Sequence, residues 1–218
     1  MLNYGIVIAA VCLLGALLHY ERSRKPARVL PVKTILSCLF ILTALVQPHP
    51  LPRYHYFILL GLIFCLGGDV FLALQHEKAF LLGLISFLLG HVFYVVGFFQ
   101  TASHPGWALV GAAGCLVLGG VIYRWLYPHL NEMKIPVLLY IIVISAMVAG
   151  ACGVMGTRQL ALTGRTLVFA GALSFYLSDI FVARDRFLKN QFVNRLAGLP
   201  LYYLGQFLLA FSIGFVTT

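Results

Sequence analysis

Apolar residues run along this chain in eight long blocks, at 2–19, 29–46, 55–74, 79–99, 107–126, 135–155, 166–183 and 196–215, broken by short polar connections. Each block is about 18 to 22 residues long, enough for an α-helix to cross about 30 Å of hydrocarbon. The pattern predicts an all-α integral membrane protein with eight transmembrane helices, folded as a single transmembrane domain over residues 1–218. The connections are too short to hold a soluble domain of any size. The first block has no basic residue ahead of it and its charges follow it, so we expect a span there and not a signal peptide.

The few polar positions inside the blocks recur in order. Asp69 lies in Gly68-Asp69-Val70-Phe71-Leu72-Ala73, and Asp179 lies in Ser178-Asp179-Ile180-Phe181-Val182-Ala183. The second block opens with Pro31-Val32 and the sixth with Pro136-Val137; the fourth carries Leu89-Gly90 and the eighth Leu204-Gly205. The three offsets are 105, 110 and 115 residues, a drift that loop length explains. This order predicts two parallel four-helix repeats, at about 1–100 and 105–218. An even number of spans per repeat keeps their orientation the same, so the pseudo-axis runs along the membrane normal.

Composition agrees with the pattern. The chain is 61% hydrophobic and 10% charged, with mean hydropathy +0.98, whereas soluble domains carry about 25% charged residues. The net charge of +9 is unevenly placed. With eight spans, one face holds Arg22, Arg24, Lys25, Arg28, Lys33, Lys78, Arg124, Lys134, Arg184, Arg186, Lys189 and Arg195, twelve basic residues against three (Arg53, Arg158, Arg165) opposite. That bias predicts both termini on the non-cytoplasmic side, and the expected location is the bacterial inner (plasma) membrane. The basic clusters orient the chain and meet anionic headgroups. Nucleic-acid binding is not expected without a basic soluble module, and no obligate protein partner is evident. The five cysteines are scattered one per helix, an arrangement that fits neither a disulfide framework nor a zinc site. No cofactor and no metal is expected.

Two of the six acidic residues lie within spans, and a carboxylate in a bilayer usually faces a cavity and works there. Asp69 sits five residues before Leu74 and Asp179 five before Arg184, each about 8 Å inside that face. Lys33 and Tyr140 fall at similar depth, Tyr203 and Gln206 at about 10 to 15 Å, and His91 at about 18 Å. These groups predict a pocket opening from the cytoplasmic leaflet and deepening toward the midplane. Each also has a plainer reading. Lys33 can snorkel to headgroups, His91 can serve as an interhelical hydrogen-bond partner, and Tyr94, Tyr140, Tyr202 and Tyr203 can simply pack. Arg186 sits at a solvated helix end where a headgroup contact is open to it. A triad of His91 with both aspartates as metal ligands conflicts with a depth difference of about 10 Å. Gly67-Gly68 beside Asp69 would admit a close neighbour or ligand. The serine-hydrolase elbow, the zincin motif and the phosphate loop are all missing from the sequence. Carboxylate acid–base chemistry and proton-coupled secondary transport both remain open.

The residues together resemble the YhhN-like lysoplasmalogenase family over nearly the whole chain. The resemblance rests on Lys33, Gly68-Asp69, Phe87-Leu88-Leu89-Gly90-His91-Val92-Phe93-Tyr94, Pro136 to Tyr140, Met147, Ser178-Asp179, Arg186-Phe187 and Tyr203 to Gln206. It implies hydrolysis of the vinyl-ether bond of lysoplasmalogens to a fatty aldehyde and glycerophosphocholine or glycerophosphoethanolamine. The implied partners are a lysophospholipid, water and the bilayer. Asp69 and Asp179 would then be catalytic, one proton shared between them providing an acid and a base, as paired carboxylates do on glycosides. Lys33 or Arg186 would meet the phosphate. His91, Tyr94, Tyr140, Tyr203 and Gln206 would line the substrate site.

Overall fold

The computed structural model describes residues 2–74 and 76–217. Among them are eight α-helices: α1 (Leu2–Arg22), α2 (Pro26–Val46), α3 (Pro52–Ala73), α4 (Glu77–Thr101), α5 (Pro105–Leu126), α6 (Lys134–Gly156), α7 (Leu162–Phe187) and α8 (Phe192–Phe215). All eight are long and apolar enough to cross a membrane, and no strand occurs among the described residues. The protein is an all-α membrane protein.

The helices run past the apolar blocks for identifiable reasons. α2, α3 and α5 begin at Pro26, Pro52 and Pro105. Proline suits the first helical turn, where its fixed φ is already helical and its missing N–H would have no partner. α7 continues through Arg184, Asp185 and Arg186 to Phe187, so Asp179 lies eight residues before its end. That depth is about 12 Å, greater than the apolar pattern gave. The connection from α1 to α2 turns at Arg24, whose φ of 50° is unusual for a residue with a Cβ.

α1 packs on α2 and α8, and α5 packs on α6. Both are outer helices with apolar faces turned outward, Ile8 and Val11 on α1 and Val110 and Val117 on α5. The most extensive contacts are α3 with α4 and α7 with α8. Glycine allows both approaches. A Cβ on Gly90 would stand 3.0 Å from the Gly61 carbonyl oxygen, and one on Gly205 would stand 2.9 Å from that of Gly171. Across the halves, α4 meets α6 and α8 meets α2. These pairings correspond when α1–α4 is laid on α5–α8. We propose on that ground that the halves are related repeats.

Candidate active site

Two hydrogen-bonded clusters hold the intramembrane carboxylates. On α2, Lys33 and Ser37 are one helical turn apart and share a face. The Lys33 ammonium is 3.4 Å from Asp69 Oδ1, and Ser37 Oγ donates to Asp69 Oδ2 at 2.6 Å. Tyr202, from α8 in the other half, donates its hydroxyl to the same Oδ2 at 2.6 Å. Asp69 is buried, 1% exposed, and Lys33 is 7% exposed. Lys33 therefore neutralises a carboxylate inside the bundle and does not reach out to headgroups. The second cluster is sparser. Tyr140, from α6, donates to Asp179 Oδ2 at 2.6 Å, and His91 Nε2 lies 4.0 Å from that oxygen. Neither ring nitrogen of His91 has a hydrogen-bond partner among the described residues.

Both carboxylates face one cavity of about 760 Å³. Its mouth lies on the face formed by the α1–α2, α3–α4, α5–α6 and α7–α8 connections, where Tyr20, Arg24, Lys25, His76, Arg186, Asn190 and Arg195 reach it. Its walls are largely apolar, with Phe80, Leu84 and Phe87 from α4, Ile122 and Leu126 from α5, and Val137, Ile141 and Ile144 from α6. The space thus joins charged groups at the mouth, two carboxylates and hydrocarbon-like walls. Such a space suits a single-chain amphiphile.

Aromatic rings separate the two clusters. Phe175 packs edge-on against His91, Tyr202 and Phe87, with centroids 4.6, 5.2 and 6.2 Å away. Edge-to-face pairs of this kind fix ring orientation as well as bury area. They hold Tyr202 and His91 toward different carboxylates. No hydrogen bond joins Asp69 to Asp179 among the described residues, and each carboxylate has its own donors. The two carboxylates are thus held by separate sets of donors.

The expected site residues divide into two groups. Asp69, Asp179, Lys33, Tyr140 and Arg186 all line the cavity. Arg186 places its guanidinium 4.2 Å from the centroid of the Phe80 ring. His91, Tyr94, Tyr203 and Gln206 do not line it and are buried behind its wall. There Tyr94 donates to Gln206 Oε1 at 2.8 Å, tying α4 to α8. The reason is rotational. Depth along a helix does not fix azimuth, and Tyr203 is turned about 100° from Tyr202, which is the residue that reaches Asp69. The same gap between axial depth and side-chain position accounts for His91, which approaches Asp179 despite its expected depth. Gly68 does admit a neighbour, since a Cβ there would stand 2.6 Å from Phe87 ring carbons. The sequence reading named neither Ser37 nor Glu21, gave Tyr202 only a packing role, and took Arg24 and Lys25 only as orienting charges. The Lys33/Ser37 spacing of one helical turn was the available signal for the first.

These features define an integral membrane protein with two carboxylates on one intramembrane cavity. The chain belongs to the YhhN family, whose sequence profile matches residues 29–213. A protein of Mycobacterium tuberculosis named lysoplasmalogenase is 29% identical over 174 residues, covering 77% of this chain and 62% of the relative. Lysoplasmalogenase TMEM86A of Homo sapiens is 30% identical over 161 residues, covering 71% of this chain and 64% of the relative. Lysoplasmalogenase TMEM86B of Mus musculus is 29% identical over 163 residues, with 71% and 62% covered. The chain thus spans 62% to 64% of the length of these curated relatives. No solved structure matches it.

Proposed function

We propose that this protein hydrolyses the vinyl-ether bond of a lysoplasmalogen. The observation that carries the reading is the placement of Asp69 and Asp179 on one cavity with unlike hydrogen-bond partners. Names borne by relatives in the family support the substrate class.

The reaction adds water across an enol ether. A proton goes to the carbon β to the ether oxygen, leaving an oxocarbenium ion. Water adds to the carbon next to oxygen and loses a proton. The resulting hemiacetal collapses, its carbon–oxygen bond to glycerol breaking, to give a fatty aldehyde and the glycerol hydroxyl. The chemistry needs an acid, a base for water and negative charge near the cation.

The two clusters divide these tasks. Asp69, beside the Lys33 ammonium and under two hydroxyl donors, is the anion that steadies the oxocarbenium ion and receives the proton of water. Asp179 has no lysine or arginine partner among the described residues and delivers the proton to carbon. Tyr140 orients the Asp179 carboxyl through its 2.6 Å hydrogen bond, and His91 walls it from behind. The apolar interior takes the hydrocarbon chain, and exclusion of bulk water strengthens the electrostatics around the carboxylates.

The test is to incubate the purified chain in detergent with 1-alkenyl-glycerophosphoethanolamine and measure free aldehyde. Release of aldehyde with wild-type protein and none with Asp179→Asn is the expected result. A proton-coupled carrier, the other reading that intramembrane carboxylates allow, would release none.

A further inference from the structure

The sequence pointed to Lys33 or Arg186 as the phosphate ligand, and the geometry commits Lys33 to a carboxylate while leaving the Arg186 guanidinium without an ion pair among the described residues. Lys33 is paired with Asp69, and Arg186 lies over the Phe80 ring. The cavity mouth offers other charges. Arg24 and Lys25, in the turn between α1 and α2, both line the cavity, and neither forms an ion pair among the described residues. Arg24 sits at φ 50°, a backbone conformation that costs a side-chain-bearing residue energy.

The carboxylates at the mouth are unequal. Asp185 is saturated: it accepts from Asn190 Nδ2 at 3.3 Å, the Gln191 N–H at 3.0 Å, Asn194 Nδ2 at 3.1 Å and Arg195 Nη2 at 3.1 Å. Glu21 has one charged partner, Arg195 Nη1 at 3.5 Å, and no side-chain hydrogen bond among the described residues. Glu21, in the last turn of α1, stands three residues before Arg24, whose N–H donates to the Glu21 carbonyl at 3.3 Å. Both also line a second cavity of about 450 Å³ beside the mouth.

We propose that the α1–α2 turn is a receptor for a zwitterionic phospholipid headgroup, Arg24 and Lys25 taking the phosphate and Glu21 the ammonium. The proposal rests on the lysoplasmalogen reading and specifies the end of the substrate that the carboxylate clusters do not touch. Charge-assisted hydrogen bonds to phosphate favour arginine, and a carboxylate beside it that has an ion pair but no side-chain hydrogen bond among the described residues complements the amine. Glu21 thereby selects amine-bearing headgroups over anionic ones.

The experiment compares wild type with Arg24→Asn/Lys25→Gln and with Glu21→Gln, all full-length in detergent. Asparagine is chosen at 24 because it tolerates positive φ. Hydrolysis is measured with 1-alkenyl-glycerophosphoethanolamine and with headgroup-free 1-alkenylglycerol. Binding of the ester-linked, 1-acyl glycerophosphoethanolamine is measured by calorimetry. The double variant is expected to raise KM for the phospholipid about tenfold with kcat little changed, to leave KM for alkenylglycerol unaltered and to weaken calorimetric binding equally. Glu21→Gln is expected to erase the preference for ethanolamine over the anionic glycerol headgroup in the same binding assay. Equal losses on both hydrolysis substrates, or unchanged calorimetric binding, overturn the headgroup site. Absence of aldehyde from wild type, with binding still sensitive to the variants, overturns the hydrolase reading and leaves the headgroup site standing. Absence of wild-type binding overturns the site.

Discussion

Tyr202 and Asp69 lie 133 positions apart in the chain and are joined by a 2.6 Å hydrogen bond between α8 and α3. The contact links the two halves at the carboxylate that Lys33 already neutralises from α2. Asp69 is thus held from both halves at once, through three donors on two helices other than its own. Asp179 is held by one.

Tyr202→Phe removes one donor while keeping the ring that packs on Phe175 and Phe87. A buried hydrogen bond to a charged group contributes about 1.5 to 3 kcal/mol. The variant is expected to lower turnover about tenfold, because Asp69 retains Ser37 and Lys33 but loses its fixed orientation. It should unfold at a slightly lower temperature. Aldehyde release and a thermal melt in detergent check both. Tyr203→Phe, which removes a hydroxyl with no partner among the described residues, should leave turnover unchanged.

Asp179→Asn should reduce turnover by on the order of a hundredfold or more, the usual loss when a positioned proton donor is removed. Its fold should be unaffected, because asparagine keeps an acceptor for Tyr140. Asp69→Asn should lose as much activity and also lose stability. It leaves the Lys33 ammonium buried and unpaired, which costs about 3 to 5 kcal/mol. Adding Lys33→Met should restore the melting temperature and not the activity. The Asp69→Asn/Asp179→Asn double variant should be little slower than either single, since both act in one reaction. Near-normal turnover in either single variant would remove the carboxylate mechanism.

The eight spans were legible because apolar length in a bilayer is a strong constraint that nothing in the chain contradicts. The ends were less so. Pro26, Pro52 and Pro105 begin helices that the apolar pattern starts two or three residues later, and the charged end of α7 hides a further turn. The two aspartates were legible because charge is rare in a span. Their partners were legible only where helical spacing or charge marked them. Lys33 stood out and Ser37 did not, though one face carries both. Tyr203 was preferred to Tyr202 because the family resemblance runs from Tyr203 to Gln206, and counting residues gives depth but not azimuth, which depends on how α8 packs against α7. The separateness of the two clusters was beyond reach, since Phe175, the ring that keeps them apart, is one apolar residue among many.

The packing of α7 on α8 sets Tyr202 against Asp69, so glycine substitutions in that seam should reach the site. A Cβ at Gly205 would meet the Gly171 carbonyl oxygen at 2.9 Å and the Phe175 N at 3.1 Å, both of them backbone atoms that cannot rotate away. Gly205→Ala is expected to lower the melting temperature by several degrees, in line with overpacking costs of about 1 to 3 kcal/mol, and to slow turnover as α8 shifts. Gly114→Ala and Gly120→Ala, where a Cβ would meet nothing within 4 Å, are the controls and should do neither. A thermal melt of the four proteins decides it.

The orientation of the bundle determines which leaflet supplies the substrate. The cavity mouth opens on the face carrying the α1–α2 and α7–α8 connections, and twelve of the fifteen Lys and Arg residues belong to that face. The positive-inside bias predicts that this face is cytoplasmic and that α8 ends on the opposite side. A C-terminal alkaline phosphatase fusion, active only outside the cytoplasm, is therefore expected to be active, and a C-terminal green fluorescent protein fusion to be dark. The same orientation predicts that 1-alkenyl-glycerophosphoethanolamine confined to the mouth-side leaflet of oriented proteoliposomes is hydrolysed, while the same lipid in the far leaflet is hydrolysed only as fast as it crosses. The opposite fusion result would place the mouth outside the cytoplasm. Arg24, Lys25 and Glu21 would then meet lipids of the outer leaflet, and the bias would be recording something other than insertion.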